Sequence, residues 1–109
     1  GTMSGLGSLV VDMTSIIKLK EFGYPVIIDA THSVQKPSIG GKTTGGNRDF
    51  APYIAYAATS VGADGVFLEV HPNPDEALSD GPNSVYLKNI PTIFKRINDL
   101  RNIYDKYEN

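Results

Sequence analysis

Three side chains that could bind a cation or move a proton follow two apolar runs of the sequence. His32 comes shortly after the run 25–28, Glu69 lies at the end of the run that begins at Gly65, and Asp80 lies in the next polar stretch. One imidazole nitrogen and two carboxylates suit a divalent iron, manganese or zinc ion. An acid in an apolar strand is costly to bury without a partner, which favours a functional Glu69. The spacing leaves ordinary alternatives open, because a lone histidine is usually a hydrogen-bonded or surface residue and Asp80 begins an Asp-Gly-Pro turn.

Other polar residues accompany this set. Asp29 precedes His32 by three residues, so its carboxylate could fix the imidazole tautomer or simply cap the loop, and Gln35 ends the same polar stretch. The stretch 36–47 contains two Gly-Gly pairs but lacks the order of a phosphate-binding P-loop. Its backbone N–H groups, together with Lys42 and Arg48, could still hold a phosphate, and a solvated flexible loop is the alternative.

Composition limits the class of protein. The chain of 109 residues is long enough for one small domain, covering 1–109, and 40% of its residues are hydrophobic. A net charge of -2 gives no basic surface for nucleic acid, and the absence of cysteine excludes disulfides. No apolar run approaches the roughly 20 residues that a membrane span needs, and no signal peptide is evident. We therefore expect a cytoplasmic protein with neither a nucleic-acid nor a membrane partner.

Hydrophobic periodicity predicts alternating helices and strands that would position these residues. Both strands are expected to be buried on both faces and to run parallel, with right-handed crossovers. The predicted elements are a helix over 14–22, a strand over 25–28, a helix over 48–61, a strand over 65–70 and a helix from 87 or 89 to 104. Long polar strand-to-helix loops and tight helix-to-strand turns are typical of a (β/α) barrel, whose functional rim lies at the C-terminal ends of the strands. Because eight strand–helix units need about 250 residues, we expect the last quarter to two-fifths of such a barrel.

Four motifs carry a resemblance to a known family. They are DATHSVQ at 29–35, GG-x-x-x-GG-x-R at 40–48, E-x-HP-x-P at 69–74 and ALSDGP at 77–82. In this order they resemble the 3-deoxy-D-manno-octulosonate 8-phosphate synthases, from about Leu9 to the C-terminus. That family is a (β/α)8 TIM barrel, usually a homotetramer. It condenses phosphoenolpyruvate with D-arabinose 5-phosphate and releases phosphate during lipopolysaccharide biosynthesis.

The resemblance implies roles for individual residues. His32, Glu69 and Asp80 would be catalytic, and in the metal-dependent branch of the family they would bind the divalent metal. Asp29, Gln35 and Arg48 would bind substrate. The Ser-Asp-Gly-Pro sequence that ends at Pro82 resembles the metal-independent branch, in which no metal cofactor is needed. By the same resemblance, 25–29 and 65–70 are the seventh and eighth barrel strands.

The resemblance also implies a transferase that needs the rest of its barrel. Residues 1–109 alone are expected to be inactive and to expose an apolar edge where the sixth strand should pair. Two alternatives stay open at this point. One is a non-catalytic half-barrel module that needs a partner segment, and the other is a related 3-deoxy-heptulosonate 7-phosphate synthase, which shares the barrel and the chemistry.

Overall fold

The computed structural model describes residues 3–4, 9–10, 12–31, 48–76 and 84–108, which form short strands and three α-helices. The elements in chain order are β1 (Met3–Ser4), β2 (Leu9–Val10), α1 (Met13–Glu21), β3 (Ile27–Asp29), α2 (Ala51–Ser60), β4 (Gly65–Phe67), β5 (Val70–His71), β6 (Val85–Tyr86) and α3 (Ile90–Glu108). Single 3₁₀ turns span Pro74–Glu76 and Leu87–Asn89. None of the helices in these segments is long and apolar enough to cross a membrane.

The central pair of strands is parallel, as the sequence predicts. β3 and β4 align Ile27 with Gly65 and Asp29 with Phe67, and the Ala30 N–H extends the pairing by donating to the Phe67 carbonyl at 2.9 Å. β1 pairs with β2 in antiparallel orientation, and β5 pairs with β6 in parallel. The crossover from β3 to β4 contains α2, which is the arrangement that parallel neighbours require.

The bounds of both predicted strands and one loop differ from the sequence prediction. The strand predicted over 25–28 spans Ile27–Asp29. The strand predicted over 65–70 ends at Phe67, because the backbone N–H of Glu69 donates to the Thr31 side chain instead of continuing the ladder. The next residues, Val70–His71, pair with Val85–Tyr86, so the region predicted as one loop contains a short second parallel pair. This pairing joins positions far apart in sequence, which local periodicity does not detect.

Helix α1 begins and ends at local signals. The Asp12 carboxylate accepts a hydrogen bond from the Thr14 N–H at 2.9 Å and caps the first turn. Gly23 terminates the helix in the left-handed conformation, with a φ of 86°. Ile16 is the side chain that α1 buries, and it packs with Val26, Ala58 and other apolar groups.

Helix α2 lies between two apolar clusters. Ala51 and Tyr56 pack with Ile93 of α3, whereas Ala58 packs with the cluster around Ile16 of α1. Hydrophobicity would place Phe50 and Ala57 on the inner face of the helix predicted over 48–61, but both are exposed. That expectation is wrong because burial depends on which sides of the helix its neighbours contact, and hydrophobicity alone does not identify those sides.

The expectation that both strands are buried on both faces is also wrong for the described residues. Ile27 is 70% exposed and Phe67 is 49% exposed. In the described part of the chain β3 and β4 form a sheet of only two strands, so each has an edge that no described strand covers. The buried members of this region are Val26, Ala30 and Thr31.

Asp64 lies before the first residue of β4 and links it to the start of β3, at the end of the strands opposite the polar rim. Its carboxylate accepts hydrogen bonds from the Val26 N–H at 2.8 Å and the Lys20 ammonium at 3.0 Å, and the Arg101 guanidinium lies at 3.8 Å. The Val26 hydrogen bond, followed by that of Lys20, lowers the pKa of Asp64 from 3.8. A lowered folded-state pKa means that this stabilisation is complete above the unfolded-state pKa and is lost as the pH falls through the folded-state value.

We expect Asp64→Ala to lower the free energy of unfolding at neutral pH by about 2 kcal/mol, because it leaves the buried Val26 N–H without its acceptor. Urea unfolding from pH 6 to pH 2 should show a smaller loss of stability on acidification in the variant than in the parent. The control is Asp99→Ala, which removes the exposed i,i+4 pair with Lys95 and should cost about 0.5 kcal/mol. Equal losses for both variants would contradict a special role for Asp64.

Candidate active site

The C-terminal ends of β3 and β4 meet at one edge of the sheet, and Glu69 is held there by its backbone. Thr31, fully buried, accepts a hydrogen bond at its Oγ1 from the Glu69 N–H at 2.7 Å. Asp29 is the last residue of β3 and is half-buried. The Thr31–Glu69 bond therefore places the residue that precedes His32 directly against Glu69.

A second backbone bond joins Glu69 to another part of the chain. The Glu69 carbonyl accepts a hydrogen bond from the Val85 N–H at 2.8 Å, next to the β5–β6 pair. Val85 is buried in the cluster between α2 and α3. Segments that precede His32 and follow Asp80 in the sequence thus both contact the backbone of Glu69.

The structure describes three of the six predicted site residues. Asp29 and Glu69 lie at the same rim of the parallel pair, and Arg48 lies just before α2. His32, Gln35 and Asp80 lie outside the described residues, so their roles stay predictions. The Glu69 N–H is hydrogen-bonded to Thr31, which precedes His32 in the sequence. The Glu69 carbonyl is hydrogen-bonded to Val85, which follows Asp80 in the sequence.

Arg48 takes part in a cluster that the sequence did not indicate. Its Nη2 donates to Asp75 Oδ1 at 2.9 Å, and the Tyr86 hydroxyl donates to Asp75 Oδ2 at 3.0 Å. The Arg48 guanidinium also lies over the Tyr86 ring, 5.1 Å from its centroid. The hydrogen bond from Arg48, and then that from Tyr86, lowers the pKa of Asp75 below its usual value of 3.8. We call these three residues the Arg48 cluster.

Sequence reasoning missed Thr31, Asp75 and Tyr86. Thr31 lies inside the polar stretch that follows the first strand, and its position one residue before a candidate ligand was the available signal. Asp75 and Tyr86 carry no such signal, because they approach Arg48 only through the β5–β6 pairing and the 3₁₀ turn. His71, the second histidine, accepts a hydrogen bond at Nδ1 from the Asn73 N–H at 2.9 Å.

The donor set that the sequence indicates has the chemistry of a divalent-metal site. Glu69 supplies a carboxylate at a rim where a neighbouring imidazole and a second carboxylate would complete a mixed nitrogen and oxygen set. Among residues 12–31, 48–76 and 84–108, no group of three histidines, cysteines or acids is close enough to bind a metal. A metal at this rim would therefore need His32 or Asp80 together with Glu69.

Comparisons with known proteins give a family match over almost the whole chain. The model of the DAHP synthetase I family matches residues 2–106. Proteins named 2-dehydro-3-deoxyphosphooctonate aldolase are similar in sequence: the protein from Geobacter metallireducens is 50% identical over 97 residues, and that from Nitratidesulfovibrio vulgaris is 51% identical over 100 residues. These alignments cover 89% and 92% of this chain but only 36% and 37% of the relatives. The chain thus spans little more than a third of the length of the relatives that it matches.

Solved structures give the same result for the fold. The phospho-2-dehydro-3-deoxyheptonate aldolase (DAHP synthase) of Thermotoga maritima superposes with a TM-score of 0.73 at 26% identity, covering 93% of this chain and 27% of that one. A truncated form of 3-deoxy-D-arabino-heptulosonate 7-phosphate synthase from the same organism also gives 0.73, at 27% identity, covering 94% of this chain and 36% of that one. The expected fold class is confirmed, and the chain is a portion of a (β/α)8 barrel that belongs to the DAHP synthetase I family.

Proposed function

We propose that the protein carrying this chain condenses phosphoenolpyruvate with D-arabinose 5-phosphate to form 3-deoxy-D-manno-octulosonate 8-phosphate and phosphate. The observation that carries the proposal is the hydrogen bond from the Glu69 N–H to the Thr31 hydroxyl, which holds a carboxylate-bearing residue at the C-terminal ends of the parallel strands, where (β/α) barrels carry their active sites. Relatives about 50% identical are named for the octonate product, which favours it over the heptulosonate product. The reaction would serve lipopolysaccharide biosynthesis.

The chemistry needs charge stabilisation at the barrel rim. C3 of phosphoenolpyruvate attacks the sugar aldehyde and forms the new carbon–carbon bond, while water adds to C2. Phosphate then leaves as the C2–O bond breaks. Negative charge develops on the former aldehyde oxygen and on the departing phosphate, so fixed donors and acceptors at the rim lower the barrier. Glu69 would orient or deprotonate the attacking water, and Arg48 would bind an anionic substrate group with help from Asp29 and Gln35.

The donor set allows a metal at this rim. A divalent iron, manganese or zinc ion, when bound, supplies Lewis-acid polarisation of the aldehyde. His32, Glu69 and Asp80 would hold it. In the metal-independent form of this chemistry, the same three side chains would orient the aldehyde and an ordered water by hydrogen bonds.

Assembly and location follow from the same proposal. We expect a homotetramer in the cytoplasm. Sedimentation of the gene product at its natural length would give the number of subunits.

The direct test is substrate choice by the gene product at its natural length. We expect phosphate release with phosphoenolpyruvate and arabinose 5-phosphate, a product with the mass of the eight-carbon sugar acid phosphate, and turnover at least about 10-fold slower with erythrose 4-phosphate. Faster turnover with erythrose 4-phosphate would instead assign the heptulosonate reaction. Loss of turnover in chelator, restored by Mn²⁺, would assign the metal-dependent form, and unchanged turnover would assign the other form.

The partial coverage of the relatives leaves a second candidate, a non-catalytic module that needs a partner segment. Ile27 and Phe67 belong to β3 and β4 and are 70% and 49% exposed, more than barrel strands normally are. The test is co-expression of residues 1–109 with the N-terminal two-thirds of the Geobacter metallireducens relative. Restored synthase activity would support the enzyme, whereas a stable but inert complex would support the module. Residues 1–109 alone should be inactive in either case.

A further inference from the structure

We propose that the ring of Phe67 forms the floor of the substrate cavity, an apolar wall beneath the acidic strand ends against which C3 of phosphoenolpyruvate lies. This inference rests on the proposed function and deepens it, because it assigns an uncharged, specificity-determining residue to that reaction. C3 of phosphoenolpyruvate carries only hydrogens, whereas the rest of the molecule is anionic. Aromatic and apolar walls are the usual surface for such a group in a ligand pocket.

The two faces of the β3–β4 pair have different neighbours. Val26 and Ile28 pack in the cluster around Ile16 of α1, and Leu68 packs against the cluster between α2 and α3. Successive side chains of a strand point to opposite faces, so the alternate residues lie on the face turned away from the helices. In β3 and β4 these residues are Ile27, Asp29, Gly65 and Phe67.

A close contact shows that these residues share one face. A Cβ built on Gly65 would lie 3.3 Å from Cγ1 of Ile27, its partner in the parallel register. The Ile27 side chain therefore extends over Gly65 at the lower step of the pair. At the upper step Phe67 is the register partner of Asp29. Within β3 and β4, Phe67 is thus the apolar side chain on this face that lies nearest to the strand ends.

This face is the one that a (β/α)8 barrel turns inward, because the helices of such a barrel lie outside its strands. Inward side chains fill the barrel in layers, and the active site lies beyond the layer nearest to the C-terminal ends of the strands. Ile27 is 70% exposed and Phe67 is 49% exposed, since the β3–β4 pair alone supplies only some of the neighbours that a closed barrel provides.

The position of Phe67 places its ring beneath the candidate acids. Phe67 is the last residue of β4, and it precedes Glu69 by two residues. Its carbonyl accepts a hydrogen bond at 2.9 Å from the N–H of Ala30, the residue that follows Asp29. The backbone of Phe67 is therefore fixed to the end of β3. A substrate that reaches Asp29 and Glu69 from the rim meets the Phe67 ring at the bottom of the cavity.

The test compares Phe67→Leu with Leu68→Ala in the gene product at its natural length. The two changes remove apolar volume from adjacent positions on opposite faces, so both should lower the melting temperature. Only Phe67→Leu should raise the KM of phosphoenolpyruvate, by about 10-fold, because a smaller side chain leaves part of the pocket unfilled. kcat should change much less, since the contact is lost in the ground state and the transition state alike.

A fluorine label reports the same contact without turnover. With para-fluorophenylalanine at the position of Phe67, the fluorine NMR signal should shift when phosphoenolpyruvate binds. The same label at the position of Phe22, which ends α1 and is exposed, should not respond. A residue that only fills the barrel core, away from the substrate, would not give this difference.

The outcomes separate this inference from the proposed function. Parent protein that neither binds nor turns over phosphoenolpyruvate would overturn both together. Parent protein that turns over both substrates, with an unresponsive label at Phe67 and the same KM for phosphoenolpyruvate in Phe67→Leu and Leu68→Ala, would overturn the inference alone.

Discussion

Replacing Gly62 with alanine is expected to lower the free energy of unfolding by about 3 kcal/mol or more. Gly62 ends α2 with a φ of 108°, a conformation that costs an L-residue about 1–2 kcal/mol. An added Cβ would also lie 2.7 Å from the Tyr104 hydroxyl oxygen and 2.8 Å from Cζ of the same ring. Relief of that overlap requires movement of α3 or of the ring, and overpacking typically costs a further 1–3 kcal/mol or so.

Gly23→Ala is the matched control for this prediction. Gly23 has a φ of 86°, yet no atom lies within 4 Å of the position that a Cβ would occupy. It should therefore show the backbone cost alone, about 1 kcal/mol. The measurement is urea unfolding of both variants beside the parent. Equal losses in the free energy of unfolding for the two variants would contradict the packing cost that is assigned to Tyr104 at Gly62.

In the gene product at its natural length, replacing Thr31 with valine is expected to reduce turnover in the proposed synthase reaction by about 100-fold, the scale that a displacement of roughly 1 Å near a catalytic group produces. Valine has nearly the same shape but cannot accept the hydrogen bond that Glu69 N–H donates to the threonine hydroxyl at 2.7 Å. The Glu69 backbone would then move toward another acceptor. Stability should also fall by about 1–3 kcal/mol, because a polar group would lose its partner at a fully buried site.

Thr31→Ser keeps the hydroxyl and should retain most of the turnover. Amide hydrogen exchange at Glu69 reports the same bond without any assay: exchange should be slow in the parent and in Thr31→Ser, and faster in Thr31→Val. Slow exchange at Glu69 in Thr31→Val would contradict the role assigned to the hydroxyl. Fast exchange with unchanged turnover would separate the position of Glu69 from catalysis.

Local signals in the sequence account for most of the elements. Asp12 caps α1, Gly23 and Gly62 stop two helices, and the apolar run around Ile27 forms the predicted strand. These features depend on residues within a few positions of one another, so hydrophobic periodicity and capping rules are sufficient. The parallel pairing of β3 with β4 also follows, since a helix separates them.

Burial and pairing of distant segments did not follow from the sequence. Phe50 and Ile27 look like core residues by hydrophobicity, but both are mostly exposed in the described structure. Whether an apolar side chain is buried depends on what lies against it, and the chain spans just over a third of its relatives. The sequence did not predict the early end of β4 either. That end depends on one hydroxyl, because the backbone N–H of Glu69 donates its hydrogen bond to the Thr31 side chain.

The sequence by itself determined the family, the order of helices and strands, and the choice of Asp29, Glu69 and Arg48 as candidate site residues. Residue types and motif spacing are sufficient for these, because each is a local property of the chain. Only the tertiary structure decided that Thr31 and Val85 hold the backbone of Glu69 and that Asp75 and Tyr86 hold Arg48. Those contacts join residues that are 11 to 38 positions apart in the sequence. They form only when the strands and helices have packed.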